Sequence, residues 1–306
     1  MAGDGRCDIL AAILVAIVSA FGFSLSTSLQ HRDVGRVPDH VQGASALMRS
    51  LAARPLWVLG LVIGLAAFGL HALALDLGTL PFVQPIICSG VVFAVPLRAW
   101  MDRERPHLPE VGAVTLAVVG LVVLLIATNA TPNQKASSAT SVLVFDAVLV
   151  VLVLLIGHYA ERLSPRGQAL VLGSTAGAVY GVVAGNVKTL LDNAAHGGFV
   201  SVPVALLAAF LVVFGIIAMI LNQRAYRAAP LSMSMPILNL VDVLVAELFS
   251  WGFLGVPPWR SAALAVVQVV GLALMWFGVR AIVRVHEKVD RDRLLGDATG
   301  TATRSR

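Results

Sequence analysis

Nine long apolar runs separated by short polar turns set the pattern of this chain, at roughly 8–29, 56–76, 79–100, 109–129, 142–159, 167–191, 203–223, 231–254 and 259–283. Runs of this length can cross a ~30 Å hydrocarbon layer as α-helices. The fifth is the shortest. The fold expected is an all-α polytopic membrane protein of about nine transmembrane helices. The first run, with Arg6 ahead of it, also has the layout of a signal peptide. It lacks an obvious small-residue cleavage site, and Ser24, Ser26, Thr27 and Ser28 carry its helix face on into a basic loop.

Polar interruptions of these runs single out the stretch 221–254, LNQRAYRAAPLSMSMPILNLVDVLVAELFSWGFL. Pro236 removes a backbone donor from the helix it sits in. Asn239, Asp242 and Glu247 are costly in lipid, about 2.5–3.5 kcal/mol for a mid-helix Asp on insertion scales, so they are expected to face an interior or a pathway. The stretch 71–96, HALALDLGTLPFVQPIICSGVVFAVP, echoes it: Ala74, Leu80 and Pro85 precede Ala225, Leu231 and Pro236 by a constant 151 residues. A proline-interrupted helix at corresponding places in two halves points to a transporter built from repeats, with its site at their interface.

Composition agrees: 58% of the 306 residues are hydrophobic and only 13% charged, and mean hydropathy is +0.87. No soluble domain requires such values. The net charge of +5 does not indicate nucleic-acid binding, because the basic residues lie between and after the runs rather than in one patch. Counted on alternate sides of nine spans, eighteen of the 22 Lys and Arg fall on one side, only Arg6, Lys135 and Arg260 on the other, and Lys188 within a helix. The positive-inside rule then puts the N-terminus outside and the C-terminus in the cytoplasm of a multi-pass cell-membrane protein. An odd number of spans gives the segments around Pro85 and Pro236 opposite orientations, which is an inverted-topology repeat. The domains expected are a first transmembrane repeat over 1–130, an external linker over 131–141, a second repeat over 142–284, and a cytoplasmic tail over 285–306 that extends a helix and fades into disorder.

Packing signals concentrate in the sixth run, where Gly173, Gly177, Gly181 and Gly185 recur every four residues and line a groove that another helix can approach. A ridge of Ala12, Ala16, Ala20, Ser24 and Ser28 makes the first helix the expected partner. Packing alone would explain both, and so would two symmetry-related helices that slide. Polar groups at membrane depth are the candidate pathway: Gln30, Gln84 before Pro85, Lys188, Asn239, Asp242 and Glu247. Lys188 either snorkels to the interface or pairs with Glu247 or Asp146. Asp242 shares a helix face with Asn239. It is either a hydrogen-bonded structural carboxylate or a carrier of a proton or cation. His71 reads as a packing residue, and Cys88 as a small apolar one. Cys7 and Cys88 suggest no disulfide framework, and no Cys/His cluster suggests a structural metal. Nothing resembles a nucleophile triad or a nucleotide-binding loop, so no enzymatic activity or cofactor is expected.

These residues carry a resemblance. The segment Trp57 to Asn129, especially LALDLGTLPFVQPIICSG, then MDRERP, then EVGAVTLAVVGLVVLLIAT, resembles the drug/metabolite transporter (EamA-like) superfamily. LNQRAYRAAPLSMSMPI and GSTAGAVYGVVAGNVK are similar to the NIPA-type magnesium transporter branch. The resemblance implies two repeats, alternating-access transport of a small molecule or cation, and family positions at Lys188, Pro85, Pro236 and Glu104. Gln223 stands where the branch has asparagine, with Asn222 beside it, and His31 and Arg32 stand where it has lysines. Magnesium keeps most of its water and takes oxygen ligands. Asp242 and Glu247 could supply those oxygens, but five residues place them about 140° apart around a helix. Lys188 suits a neutral or anionic metabolite better. The expected function is secondary transport of a small solute or cation, magnesium included. The alternatives are a small-metabolite or drug exporter without metal transport, and a non-transporting scaffold of a cell-envelope assembly. The partners implied are the lipid bilayer and the substrate, and a homodimer is admitted.

Overall fold

Lipid offers no partner to a backbone N–H or C=O, so a chain built of apolar runs must pair these groups within each segment, as helices do. The structure, a computed structural model, describes residues 4–34, 37–38, 44–93, 96–97, 100, 108–128, 137–197, 201–228, 231–257, 259 and 261–304, without the side chains of 4–8, 31, 44, 196–197, 231–235, 283 and 286–304. Among the described residues every regular element is helical: α1 (Asp4–Val34), α2 (Ala44–Ala52), α3 (Pro55–Leu77), α4 (Leu80–Cys88), a 3₁₀ turn (Ser89–Phe93), α5 (Leu108–Ala127), α6 (Ala139–Ala160), α7 (Pro165–Gly197), α8 (Val202–Ala228), α9 (Leu231–Leu254) and α10 (Ala262–Arg304). Eight of them are long and apolar enough to cross a membrane, which makes this a polytopic helical membrane protein. Arg36, Arg98, Arg103, Glu104, Arg105, Lys135, Arg260 and most of the expected linker lie outside the described residues. So do the side chains of Arg6, Cys7 and His31.

The expected third span differs. Its described part is nine α-helical residues followed by five in a 3₁₀ turn, and at ~1.5 Å per residue this falls short of a ~30 Å layer. Pro85 lies inside α4 and cannot donate to the carbonyl one turn back. Beyond it the backbone of Gly90 comes so close to α1 that a Cβ there would stand 2.7 Å from the Ala20 carbonyl oxygen. The expected shortest span is instead a full one, as α6 runs for 22 residues. The helix extension expected of the tail is present, as α10 continues to Arg304. An element the pattern did not suggest is α2, which buries Leu47 and Leu51 against Val34, Val37 and Trp57. Beside it, buried Asp33 accepts the Trp57 backbone N–H at 3.1 Å and takes Arg54 at 3.7 Å, satisfying one orphan donor of the first turn of α3.

At the centre stands α7, with 72% of its most apolar window buried against 22–44% for the other seven. Its glycine groove exists, but the partner is α9 and not α1. A Cβ on Gly177 would meet Leu238, one on Gly181 would meet Asp242 O at 2.6 Å, and one on Gly185 would meet the Phe249 ring. The small ridge of α1 serves other neighbours: Ala12 and Ala20 lie against Gly78 and Gly90, and Gly22 faces Ala67 of α3. Ser19 and Ser26 tie α1 to α3 by donating to Ala67 O at 2.8 Å and Gly60 O at 2.7 Å. A second close crossing joins α5 to α10. Gly120 faces Met275, Gly271 faces Leu124, and Gly278 faces Ala117, so the two helices run antiparallel.

Candidate functional site

Where α4 and α9 meet, the two proline-bearing helices bring together side chains 158 residues apart. Gln84, buried to 2% exposure, donates through Nε2 to Asp242 Oδ1 at 2.7 Å, and the Cys88 thiol lies 3.2 Å from Asp242 Oδ2. Cys88 follows Gln84 by one helical turn and so shares its face. A buried carboxylate must be hydrogen-bonded, and both oxygens of Asp242 are. The cluster extends on both sides. His71 of α3 stands beside the Gln84 amide and is held edge-on between Phe23 and Phe68. Tyr180 of α7 lies within electrostatic reach of Asp242 and, with Tyr226, flanks Asn222 of α8. Five helices therefore converge on one polar centre: α3, α4, α7, α8 and α9.

Three buried atoms of this centre, His71 Nε2, Gln84 Oε1 and Asn222 Oδ1, close no well-formed hydrogen bond among the described residues, although His71 faces the Gln84 amide and the two phenols face Asn222. A buried polar atom left unpaired costs about 1–3 kcal/mol, and a solute offering donors and acceptors would offset that cost. One carboxylate, two amides, an imidazole and two phenols make a surface suited to a small hydrogen-bonding solute.

The other expected pathway residues take separate places. Lys188 pairs with neither Glu247 nor Asp146. Its Nζ donates to Leu75 O at 3.0 Å and lies 3.4 Å from Asp192. The reason is local, since Leu75 is in the last turn of α3, whose carbonyls lack helical partners and attract a cation. Glu247 accepts from Gln268 of α10 at 3.1 Å. Asp146 of α6 accepts from Asn186 of α7 at 2.8 Å. Gln30 receives Gln223 Nε2 at 2.7 Å and donates to Ser26 Oγ at 3.0 Å, linking α8 to α1. Asn239 is half-buried and takes no part in the Gln84–Asp242 pairing. The site expected from sequence thus holds together at Gln84 and Asp242 only. His71 and Cys88, read as packing residues, belong to it. Tyr180 and Tyr226 are not expected there from sequence, and Asn222 enters only as the neighbour of Gln223, though Asn222 and Tyr226 stand one turn apart in an apolar helix and share its face.

These features define a helical membrane protein with a buried polar centre. An uncharacterized protein of Corynebacterium glutamicum is 27% identical to it over 270 residues, covering 85% of this chain and 92% of that protein. No family model matches the chain, and no solved structure matches it.

Proposed function

We propose that the chain is a secondary transporter of the drug/metabolite transporter type, with its substrate site at the His71–Gln84–Cys88–Tyr180–Asn222–Asp242 centre. The observation that carries this reading is the buried 2.7 Å contact of Gln84 with Asp242, made between two proline-interrupted helices at corresponding places in the two halves. Inverted repeats are supported by the way helix pairings correspond: α1 packs on α3 and α4, and α7 packs on α8 and α9. The segment 80–93 follows the direction of α1, since Gly78 faces Ala12 and Gly90 faces Ala20, which is compatible with a ninth pass; the outside position of the N-terminus rests on the distribution of basic residues alone. The antiparallel register of α5 with α10 is the arrangement expected of corresponding helices in an inverted repeat.

The substrate class favoured is a small organic solute with hydrogen-bond donors and acceptors, moved by alternating access across the cell membrane. Magnesium is the second reading. Lys188 is engaged at the end of α3, so it does not repel a cation from the centre. Yet Asp242 already accepts from Gln84 and Cys88, and Glu247, the other carboxylate expected to bind magnesium, is engaged with Gln268 instead. The purified protein in proteoliposomes, offered a panel of labelled small metabolites and magnesium, should move one or more organic solutes, and Asp242→Asn should reduce that flux. Magnesium flux that Asp242→Asn abolishes would favour the second reading. Absence of any flux beyond protein-free vesicles would favour a membrane scaffold.

A further inference from the structure

Outside the polar centre, Asp146 of α6 and Asn186 of α7 form a pair with both residues at 0% exposure. On one side the pair is joined, as Asn186 Nδ2 donates to Asp146 Oδ2 at 2.8 Å. The remaining two oxygens, Asp146 Oδ1 and Asn186 Oδ1, are both buried and both without a partner among the described residues. Each is an acceptor when the carboxylate is ionised, so they cannot bond to each other in that state. One proton on Asp146 Oδ1, donated to Asn186 Oδ1, would satisfy both atoms at once and close a two-bonded acid–amide ring. We propose that the Asp146–Asn186 pair is a proton-binding site, separate from the polar centre and buried between α6 and α7.

Among the described residues no other charged group offers to balance an ionised Asp146. On α7, Lys188 is engaged by Leu75 O and Asp192, Arg166 lies at the far, exposed end, and Tyr180 lies by Asn222. On α8, Arg224 pairs with Glu161, Arg227 donates to Pro38 O, and Tyr226 flanks Asn222. On α9, which meets α6 through Phe249 and Phe253 against Phe145, Asp242 and Glu247 have their own partners. Release of the proton would leave a buried carboxylate with one neutral donor, an arrangement that favours parting α6 from α7. Coupling of that event to solute movement rests on the transporter reading. The proton site itself does not.

Infrared spectroscopy of the full-length protein in detergent tests the site without any transport assay. The carbonyl-stretch band of a protonated carboxylic acid should be present at neutral pH in the wild type and lost in Asp146→Asn. That variant should fold and keep its melting temperature, because an amide at position 146 supplies the same donor and acceptor as the acid. Asn186→Leu, which removes the ring partner, should instead shift the band to the higher frequency of an unbonded acid, and this comparison stands if Asp146→Asn does not fold. An unchanged spectrum in both variants would overturn the proposal. So would stabilisation by sodium or potassium that is present in the wild type and absent in Asp146→Asn. Thr189 Oγ is also buried and unpartnered one turn along α7, and that result would assign the oxygens to a metal cation. A protein with the band but no flux would retain the proton site and lose only its coupling role.

Discussion

Asp242 and Gln84 have different jobs within one hydrogen bond, and two substitutions separate them. Asp242→Asn keeps an oxygen for Gln84 Nε2 at the 2.7 Å contact but sets an N–H against the Cys88 side and removes the charge. The variant removes the charge from the proposed solute site, so transport should fall about tenfold or more, while the Gln84 contact that the amide oxygen keeps holds the melting temperature within a few degrees. Gln84→Leu, in contrast, leaves Asp242 Oδ1 buried without its donor while Oδ2 keeps Cys88, which costs about 1–3 kcal/mol and should lower the melting temperature measurably. A melting temperature that drops with Asp242→Asn and holds with Gln84→Leu would contradict these assignments. Both residues were visible in the sequence because a polar side chain in an apolar run stands out. Cys88 and His71 were not, since thiol and imidazole are common packing residues, and only the crossing of α4 with α9 and α3 reveals what they touch.

Glycine spacing at the element level identified the right helix face and the wrong partner. The four-residue recurrence in α7 specifies a groove but says nothing of what fills it, and the ridge of small residues on α1 is the partner the pattern suggests. In the fold α9 wins, because its backbone at Leu238 and Asp242 can approach α7 where no Cβ intervenes. The same approach makes Gly181→Ala damaging. The added carbon would lie 2.6 Å from Asp242 O and 3.0 Å from Ala246 N, both backbone atoms that cannot rotate away. Expression of folded protein, or its melting temperature in detergent, should fall clearly. Gly215→Ala on α8 is the control, since nothing lies within 4 Å of its added carbon, and it should behave as wild type. Equal behaviour of the two variants would show that the α7–α9 crossing is not close. The third run differs from expectation in its regularity for a related reason: an apolar run reports length, whereas the α-helix gives way to a 3₁₀ turn after Cys88, beyond Pro85 and where Gly90 meets Ala20.

For the whole molecule, the decisive property is the direction in which each segment crosses the membrane, and the broken segment 80–93 controls it. If that segment crosses, nine passes place the termini on opposite sides. If it enters and returns, every later helix is inverted and the corresponding halves no longer oppose each other. Two independent facts favour crossing: the common direction of α1 and α4, read from Gly78 against Ala12 and Gly90 against Ala20, and the eighteen basic residues that nine passes gather on one side. Single cysteines placed in a variant lacking Cys7 and Cys88 test this directly with a membrane-impermeant thiol reagent on intact cells. Positions 135 and 260 should label from outside, and positions 103, 162 and 227 only after the membrane is opened. Position 49 lies before the broken segment and position 162 after it, so the two must fall on the same side if 80–93 crosses. Labelling of 162 from outside with 49 protected would place an even number of passes between the termini, and the inverted-repeat arrangement around Gln84 and Asp242 would have to be abandoned.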